Sequence, residues 1–189
     1  MIKTDFILDA KGMACPMPIV KTRKIMRGMD PGNVLEVQAT DRGSTADIKA
    51  WAESSGHYYL GTTEDAEVLT HYLRKSSEEE RVEKKHPHVV SNEQLQAILD
   101  GTPDALVLDV RESAEYAFGH IPGAQSMPLG ELEEAFGDLD KETVMYVVCR
   151  TGNRSDTASR KLTEAGFSKV KNVVPGMSEW KGPMEKVVQ

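Results

Sequence analysis

Short apolar runs alternate along the chain with segments whose apolar residues recur at helical spacing. Phe6-Ile7-Leu8 is a strand candidate, and a helix is predicted from Pro16 to about Met29, with Ile19, Val20, Arg23, Ile25 and Met26 on a partial apolar face. Asp30-Pro31-Gly32-Asn33 signals a turn, and Val34 to Ala39 then alternates apolar and polar as a half-buried strand does. Ser44 to Ser55 fits a second helix, with Ser44-x-x-Asp47 at its start and Gly56 just past its end. His57–Gly61 and Ala66–Leu73 read as two further strands. The order β-α-β-α-β-β has few strands, so an open sheet with both helices over one face is expected.

From Arg74 to His88 the pattern stops. The stretch is almost wholly polar and closes on Pro87, which marks a linker, here residues 75–87 between domains at 1–74 and 88–189. Ser77-x-x-Glu80 could cap a short exposed helix, with Glu80–Lys84 as an i,i+4 pair, so coil and helix both remain open.

Beyond it, Ser91-x-x-Gln94 precedes a helix to Asp100, and Ala105–Val110 is a continuous apolar strand of the kind buried on both faces of a parallel sheet. A short helix at Ser113–Phe118, a Gly/Pro loop at 119–124, a helix at Glu131–Phe136, a second buried strand at Val144–Val148 and a helix at Ser155–Ala165 closed by Gly166 complete the pattern. Strands alternating with helices argue a doubly wound α/β domain.

The 189 residues are 39% hydrophobic and 28% charged, which suits an ordered globular chain. A net charge of −7 disfavours nucleic acid as a direct partner. No apolar run approaches the roughly 20 residues of a membrane span, and Met1–Asp5 turns polar at once, so a cytoplasmic protein without membrane contact is expected. Two cysteines, Cys15 and Cys149, build neither a disulfide framework nor a four-thiolate zinc site. A cysteine is often only a small buried hydrophobe, so each must be argued from its surroundings.

Cys149 ends a buried strand and is followed by Arg150, Thr151, Gly152, Asn153, Arg154 and Ser155 at the start of a helix. Ligands of open α/β sheets bind at the carboxyl ends of strands. Free amides and the positive end of the helix favour an anionic sulfur there. Arg150 and Arg154 would add two positive charges, and Gly152 would let the backbone turn its amides inward.

Leu108-Asp109-Val110-Arg111-Glu112, Gly119-His120-Ile121-Pro122-Gly123-Ala124 and Cys149-x-x-Gly152-x-Arg154-Ser155 resemble the three signatures of a single-domain rhodanese, over roughly residues 88–189. The resemblance implies that Cys149 takes sulfane sulfur from thiosulfate or a persulfide, that residues 150–155 cradle it, and that a thiophilic acceptor receives it. Phosphatases of the same fold place five residues between cysteine and arginine. Here four intervene, Arg150 to Asn153, and the tighter ring disfavours a phosphatase or arsenate reductase. Asp109 and Arg111 read as a structural ion pair, His120 as a hydrogen-bonded loop residue and Trp180 as packing. Gly176-Met177-x-x-Trp180 resembles the family's closing helix.

Cys15 precedes Pro16, and a proline at the first helical position would put the thiol at or near the helix N-cap, where a thiolate is stabilised. Pro16 and Pro18 lack N–H groups, so a milder activation and a more exposed thiol are expected than at Cys149. The segment Leu8–Val20, with Cys15-Pro16-Met17-Pro18, resembles the Cys-Pro-x-Pro signature of the TusA-like sulfur carriers over about residues 4–75. That resemblance implies a two-layer sandwich whose cysteine relays persulfide sulfur between proteins.

Two independent sulfur motifs in one chain point to a sulfurtransferase or sulfur relay, with a small sulfur donor, a thiol or protein acceptor and no cofactor or metal. A flexible tether of about 14 residues spans roughly 20 Å and would hold one thiol near the other at about millimolar concentration. A second reading is a non-catalytic carrier, in which Cys15 docks on partners and the rhodanese-like half senses or stores sulfur. Removal of sulfide-derived persulfides and delivery to tRNA or cofactor thiolation both fit the motifs.

Overall fold

The computed structural model describes residues 2–76 and 85–188. These fall into two compact units, residues 2–76 with Val188 and residues 85–187. The anticipated Ser77–Glu80 capping box and Glu80–Lys84 pair lie outside the described residues.

The N-terminal unit runs β1 (Phe6–Asp9), α1 (Met17–Gly28), β2 (Val34–Ala39), α2 (Ser44–Ser54), β3 (Tyr58–Asp65) and β4 (Val68–Arg74). Its sheet has the order β1-β2-β4-β3, parallel between β1 and β2 and antiparallel elsewhere. Leu35, Val37 and Leu73 on the sheet meet Met26 of α1 and Ile48 and Ala52 of α2 in one core, so both helices cover one face. The apolar stripe of α1 is rotated from its expected phase. Pro18, Thr22 and Met26 are buried, while Val20 is 51% exposed. The steps 18, 22 and 26 follow the i,i+4 ridge, and Met29 at the helix end joins the same core.

Neither polar residue at the start of α2 caps it. Gly43 is the N-cap, and no side chain closes the end. Ser44 turns inward instead: its hydroxyl donates to the Asp41 carbonyl (2.5 Å) and lies 3.0 Å from His71 Nε2. That hydroxyl's one proton is committed, so Nε2 carries a hydrogen and Nδ1 accepts from one of the mutually bonded hydroxyls of Thr62 (2.9 Å) and Tyr59 (3.0 Å). His71 is fully buried and its pKa is pushed down to about 4 by loss of solvation.

Residues at the linker margins are held by their own units. Arg74 is the last residue of β4, buried and stacked over Tyr58. Lys75 exchanges backbone hydrogen bonds with Asn33 and Gly32, and its ammonium caps the end of α1 at the carbonyls of Met29 and Arg27. On the far side, the amides of Lys85 (2.8 Å) and His86 (2.7 Å) donate to the buried Asp156 carboxylate.

The C-terminal unit contains β5 (Val89–Ser91), α3 (Asn92–Gly101), β6 (Leu106–Asp109), α4 (Ser113–Phe118), β7 (Gln125–Ser126), α5 (Leu132–Ala135), β8 (Met145–Val148), α6 (Asn153–Glu164) and β9 (Val170–Val174). The sheet is parallel throughout, in the order β5-β9-β8-β6-β7. The Ser91–Gln94 capping box opens α3 as its residues require. Alternate residues sort to opposite faces. Leu108, Met145 and Val147 pack on Leu132, Ala158 and Leu162, whereas Val107, Tyr146 and Val148 pack with Leu95, Ile121 and Trp180. Helices on both faces make the doubly wound arrangement.

Three strands escape the sequence pattern. β5 and β7 span three and two residues, too short for a period to register, and β9 carries Lys171 and Asn172 between its valines. The segment after Gly176 is a three-residue 3-10 turn, Met177–Glu179, and not the helix that the resemblance implies. Gly176 lies at φ +88° and Trp180 is already extended, which leaves no room for a full turn. No helix among the described residues is long and apolar enough to cross a membrane.

Burial of a neutral His71 makes the N-terminal unit acid-sensitive. Its folded pKa lies below the unfolded value of 6.5, so the unfolded chain takes up the proton first as pH falls. Stability is full above about 6.5 and drains away down to about 4, by roughly 3 kcal/mol. The measurement is the urea midpoint of Trp51 fluorescence in a Trp180→Phe background at pH 7.5 and pH 4.5. His71→Gln, which does not titrate, should lose much less between the two pH values.

Candidate functional site

In the C-terminal unit, β7 lies on one side of β6 and β8 on the other, so their carboxyl ends flank a topological switch point. Cys149 is the first residue past β8, and Asp109 ends β6 beside it. The loop turns at Gly152, φ +88°, which is also the N-cap of α6. That left-handed backbone suits glycine and aims the Gly152 amide back at the sulfur.

The Gly152 N–H donates to Cys149 Sγ at 3.2 Å, and Ser155 Oγ lies 3.3 Å from the same sulfur. Ser155 Oγ is also 2.6 Å from Asn172 Oδ1 on β9, while Asn172 Nδ2 donates to the Gly152 carbonyl at 3.1 Å. The serine has one proton for two acceptors. Cys149 is 1% exposed, so this is a tight recess.

The backbone of the loop is gripped from behind. Met177 N–H donates to the Cys149 carbonyl (2.8 Å) and Ser178 N–H to the Arg150 carbonyl (2.9 Å). A Cβ at Gly176 would stand 2.4 Å from the Cys149 carbonyl oxygen, so only glycine fits there. Asn92 exchanges two hydrogen bonds with the Gly176 backbone.

Of the other loop residues, Arg150, Thr151 and Asn153 are half-buried and Ser155 is buried. Arg154 is paired with carboxylates. Its guanidinium is buried in a two-pronged pair with Glu115 of α4, at 2.7 and 2.9 Å, with Glu112 at 3.9 Å. The Gly152 amide and the Ser155 hydroxyl are donors at Cys149, and Arg154 ties the first turn of α6 to α4. Asp109 and Arg111 form a buried ion pair, with the guanidinium also donating to the Gly119 carbonyl at 2.7 Å. His120 stacks on Tyr116 with ring centroids 3.7 Å apart, its Nδ1 against the Tyr116 carbonyl. Trp180 packs in the core.

The N-terminal unit repeats the placement with different chemistry. Cys15 follows β1 and precedes α1, at the carboxyl end of the parallel β1–β2 pair. Pro16 is the N-cap of α1, so Cys15 stands one residue outside the helix. The exposed thiol donates to Asp47 Oδ2 at 3.4 Å, in a surface pocket lined by Cys15, Pro16, Pro18, Ile19, Asp41, Ser44 and Asp47. The expected mild activation is reversed. The hydrogen bond to the Asp47 carboxylate, then partial burial and the Asp41 charge, hold the Cys15 thiol above the ordinary cysteine value. Losing the proton there would leave two negative charges in contact.

Glu115, Asn172 and Asp47 are the functional neighbours that sequence reasoning did not bring forward. Glu115 and Asn172 are 39 and 17 residues from their partners in the loop, and no local pattern marks them. Asp47 does carry a signal, since it opens a helix, but there it reads as a cap.

A family model described as Sulfurtransferase TusA matches residues 6–75, and one described as a Rhodanese-like domain matches residues 91–183. The protein named "Putative sulfur carrier protein YrkF" of Bacillus subtilis (strain 168) is 47% identical over 98% of this chain and 100% of its own length. YrkI of the same organism, also named as a sulfur carrier, is 47% identical over 39% of this chain and 99% of its own. Among solved structures, the rhodanese-like domain of Alr3790 from Anabaena sp. is 31% identical, with a TM-score of 0.49 over 54% of this chain and 80% of that one.

The buried Arg154–Glu115 pair generates a stability prediction. Glu115→Gln removes the charge that pairs with the buried Arg154 guanidinium at 2.7 and 2.9 Å, which should cost about 3 kcal/mol. The check is urea unfolding followed by Trp180 fluorescence in a Trp51→Phe background. A change under about 0.5 kcal/mol, the level of an ordinary surface substitution, would contradict the bracing role.

Proposed function

The chain belongs to the sulfur carrier family that joins a TusA domain to a rhodanese-like domain, and we propose that Cys149 and Cys15 carry sulfane sulfur as persulfides. Domains and relatives alike support sulfur relay and sulfurtransferase activity in general. The finer reading is a transfer from thiosulfate or a low-molecular-weight persulfide, through Cys149, to Cys15 and then to a thiol or protein acceptor. The TusA-like part is residues 1–74 and the rhodanese-like part 88–189, joined through residues 75–87.

The observation that carries the reading is the pair of donors on Cys149, the Gly152 amide and the Ser155 hydroxyl. The Cys149 thiolate attacks the outer sulfur of thiosulfate, that S–S bond breaks, and sulfite leaves with the electron pair. The new Cys149 persulfide is an anion that the two donors and the start of α6 stabilise. Its near-complete burial favours a small donor over a folded one. The outer sulfur then stands about 2 Å further out than the thiol. In the second step the Cys15 sulfur attacks it, and Cys149 departs as the thiolate. No oxidant or cofactor enters either step. Arg150, Thr151, Asn153 and the braced Arg154 shape the recess. The location proposed is cytoplasmic, where a persulfide meets reduced thiols.

Relay predicts a definite labelling pattern. After limiting thiosulfate, peptide mass spectrometry should find added sulfur on both Cys149 and Cys15 in the unaltered chain, and little on Cys15 in Cys149→Ser. Turnover from thiosulfate to an acceptor thiol should be abolished in Cys149→Ser. Equal labelling of Cys15 in both chains would mean that the N-terminal domain loads independently. Sulfur retained on Cys149 without turnover would favour the storing or sensing role.

A further inference from the structure

Asp47 sits in the first turn of α2, where a carboxylate ordinarily serves its own helix. Here it accepts the Cys15 proton instead. A second carboxylate, Asp41, lines the same pocket. The intervening Arg42 is highly exposed and drawn towards Glu64 at 3.5 Å. The turn that presents both acids is anchored in the core, because Ser44 holds the Asp41 carbonyl and the buried His71 holds Ser44. The pocket is thus a fixed arrangement of negative charge around an exposed thiol, the opposite of the donor-lined recess at Cys149.

We propose that Asp47 is a specificity-determining residue of the Cys15 pocket, whose carboxylate turns away small anionic sulfur donors and leaves Cys15 to be loaded by neutral or cationic carriers. The inference rests on the reading of Cys15 as a persulfide carrier. It assigns the two cysteines to different donors. Cys149 captures small anions such as thiosulfate, and Cys15 is shielded from them. A carrier protein that brings lysine or arginine to Asp47 would both dock and release the thiol, because neutralising the carboxylate removes the charge that retains the proton.

The test uses the full chain in a Cys149→Ser background, so that Cys15 alone reports. Its rate with the dianionic disulfide 5,5′-dithiobis(2-nitrobenzoate) is compared with that of the neutral 2,2′-dithiodipyridine at pH 7.5. Asp47→Asn should raise the dianion rate roughly tenfold more than the neutral rate. Asp47→Glu should keep most of the discrimination. On the chain carrying Asp47 itself, 1 M NaCl should narrow the gap between the probes, since screening at that salt acts within about 3 Å. This last arm needs no substitution at Asp47. An unchanged rate ratio in Asp47→Asn, or a ratio insensitive to salt, would overturn the proposal. Failure of the carrier reading itself is separate: a glutathione persulfide donor would then add no sulfur mass to Cys15 even in Asp47→Asn, whatever the probe ratio.

Discussion

A chain leaving the buried strand β8 must reverse direction within a few residues to begin α6, and its amides have to find partners as it does so. Gly152 makes that reversal by adopting a positive φ, and the amide so exposed finds the Cys149 sulfur. The first turn of α6 is held down at Arg154 by Glu115, at Ser155 by Asn172 and at Asp156 by the backbone of residues 85–86. Each brace comes from a different part of the C-terminal unit. Met177 and Ser178 take up the carbonyls on the other side of the loop. The loop geometry is therefore over-determined, which a site that must receive a developing negative charge requires.

The two cysteines share a position and differ in electrostatics. Both stand where a strand of a parallel pair runs into a helix. At Cys149 the neighbours donate hydrogen bonds to the sulfur. At Cys15 the neighbour accepts one, which raises the thiol pKa. Burial follows the same division: Cys149 is enclosed and Cys15 is exposed. An enclosed, donor-lined sulfur suits capture of a small anion. An exposed sulfur with its proton held by a carboxylate suits handing on, under the control of whatever contacts that carboxylate.

Polar groups buried in the N-terminal unit serve the same end. The Ser44–His71–Tyr59–Thr62 network occupies core volume that aliphatic side chains could fill, and its burial keeps His71 neutral. What it supplies is directional: it fixes the turn before α2, and with it the carboxylates that line the Cys15 pocket. A purely apolar core would hold the helix against the sheet without fixing that turn.

Local pattern was enough for the element order of the N-terminal unit, the buried strands β6 and β8, the Ser91–Gln94 cap and both cysteine motifs, because periodicity, capping and glycine turns act within about ten residues of chain. Gly152 was legible as the turn after Cys149 for that reason, while the cradle role of residues 150–155 came from the family resemblance. Strand order, the short strands β5 and β7, the polar-interrupted β9 and the phase of α1 were decided by tertiary contacts. Pairing of a two- or three-residue strand depends on its neighbours in the sheet, and Thr22 is buried because of what α1 rests on. The charge at each sulfur was likewise a tertiary matter. Sequence counted Arg154 as a cation for Cys149 and a free helix start for Cys15. The fold gave Arg154 to Glu115 and brought Asp47, 32 residues away, to Cys15. Electrostatics depends on distance in space, and no spacing along the chain encodes that distance until the strands and helices have packed.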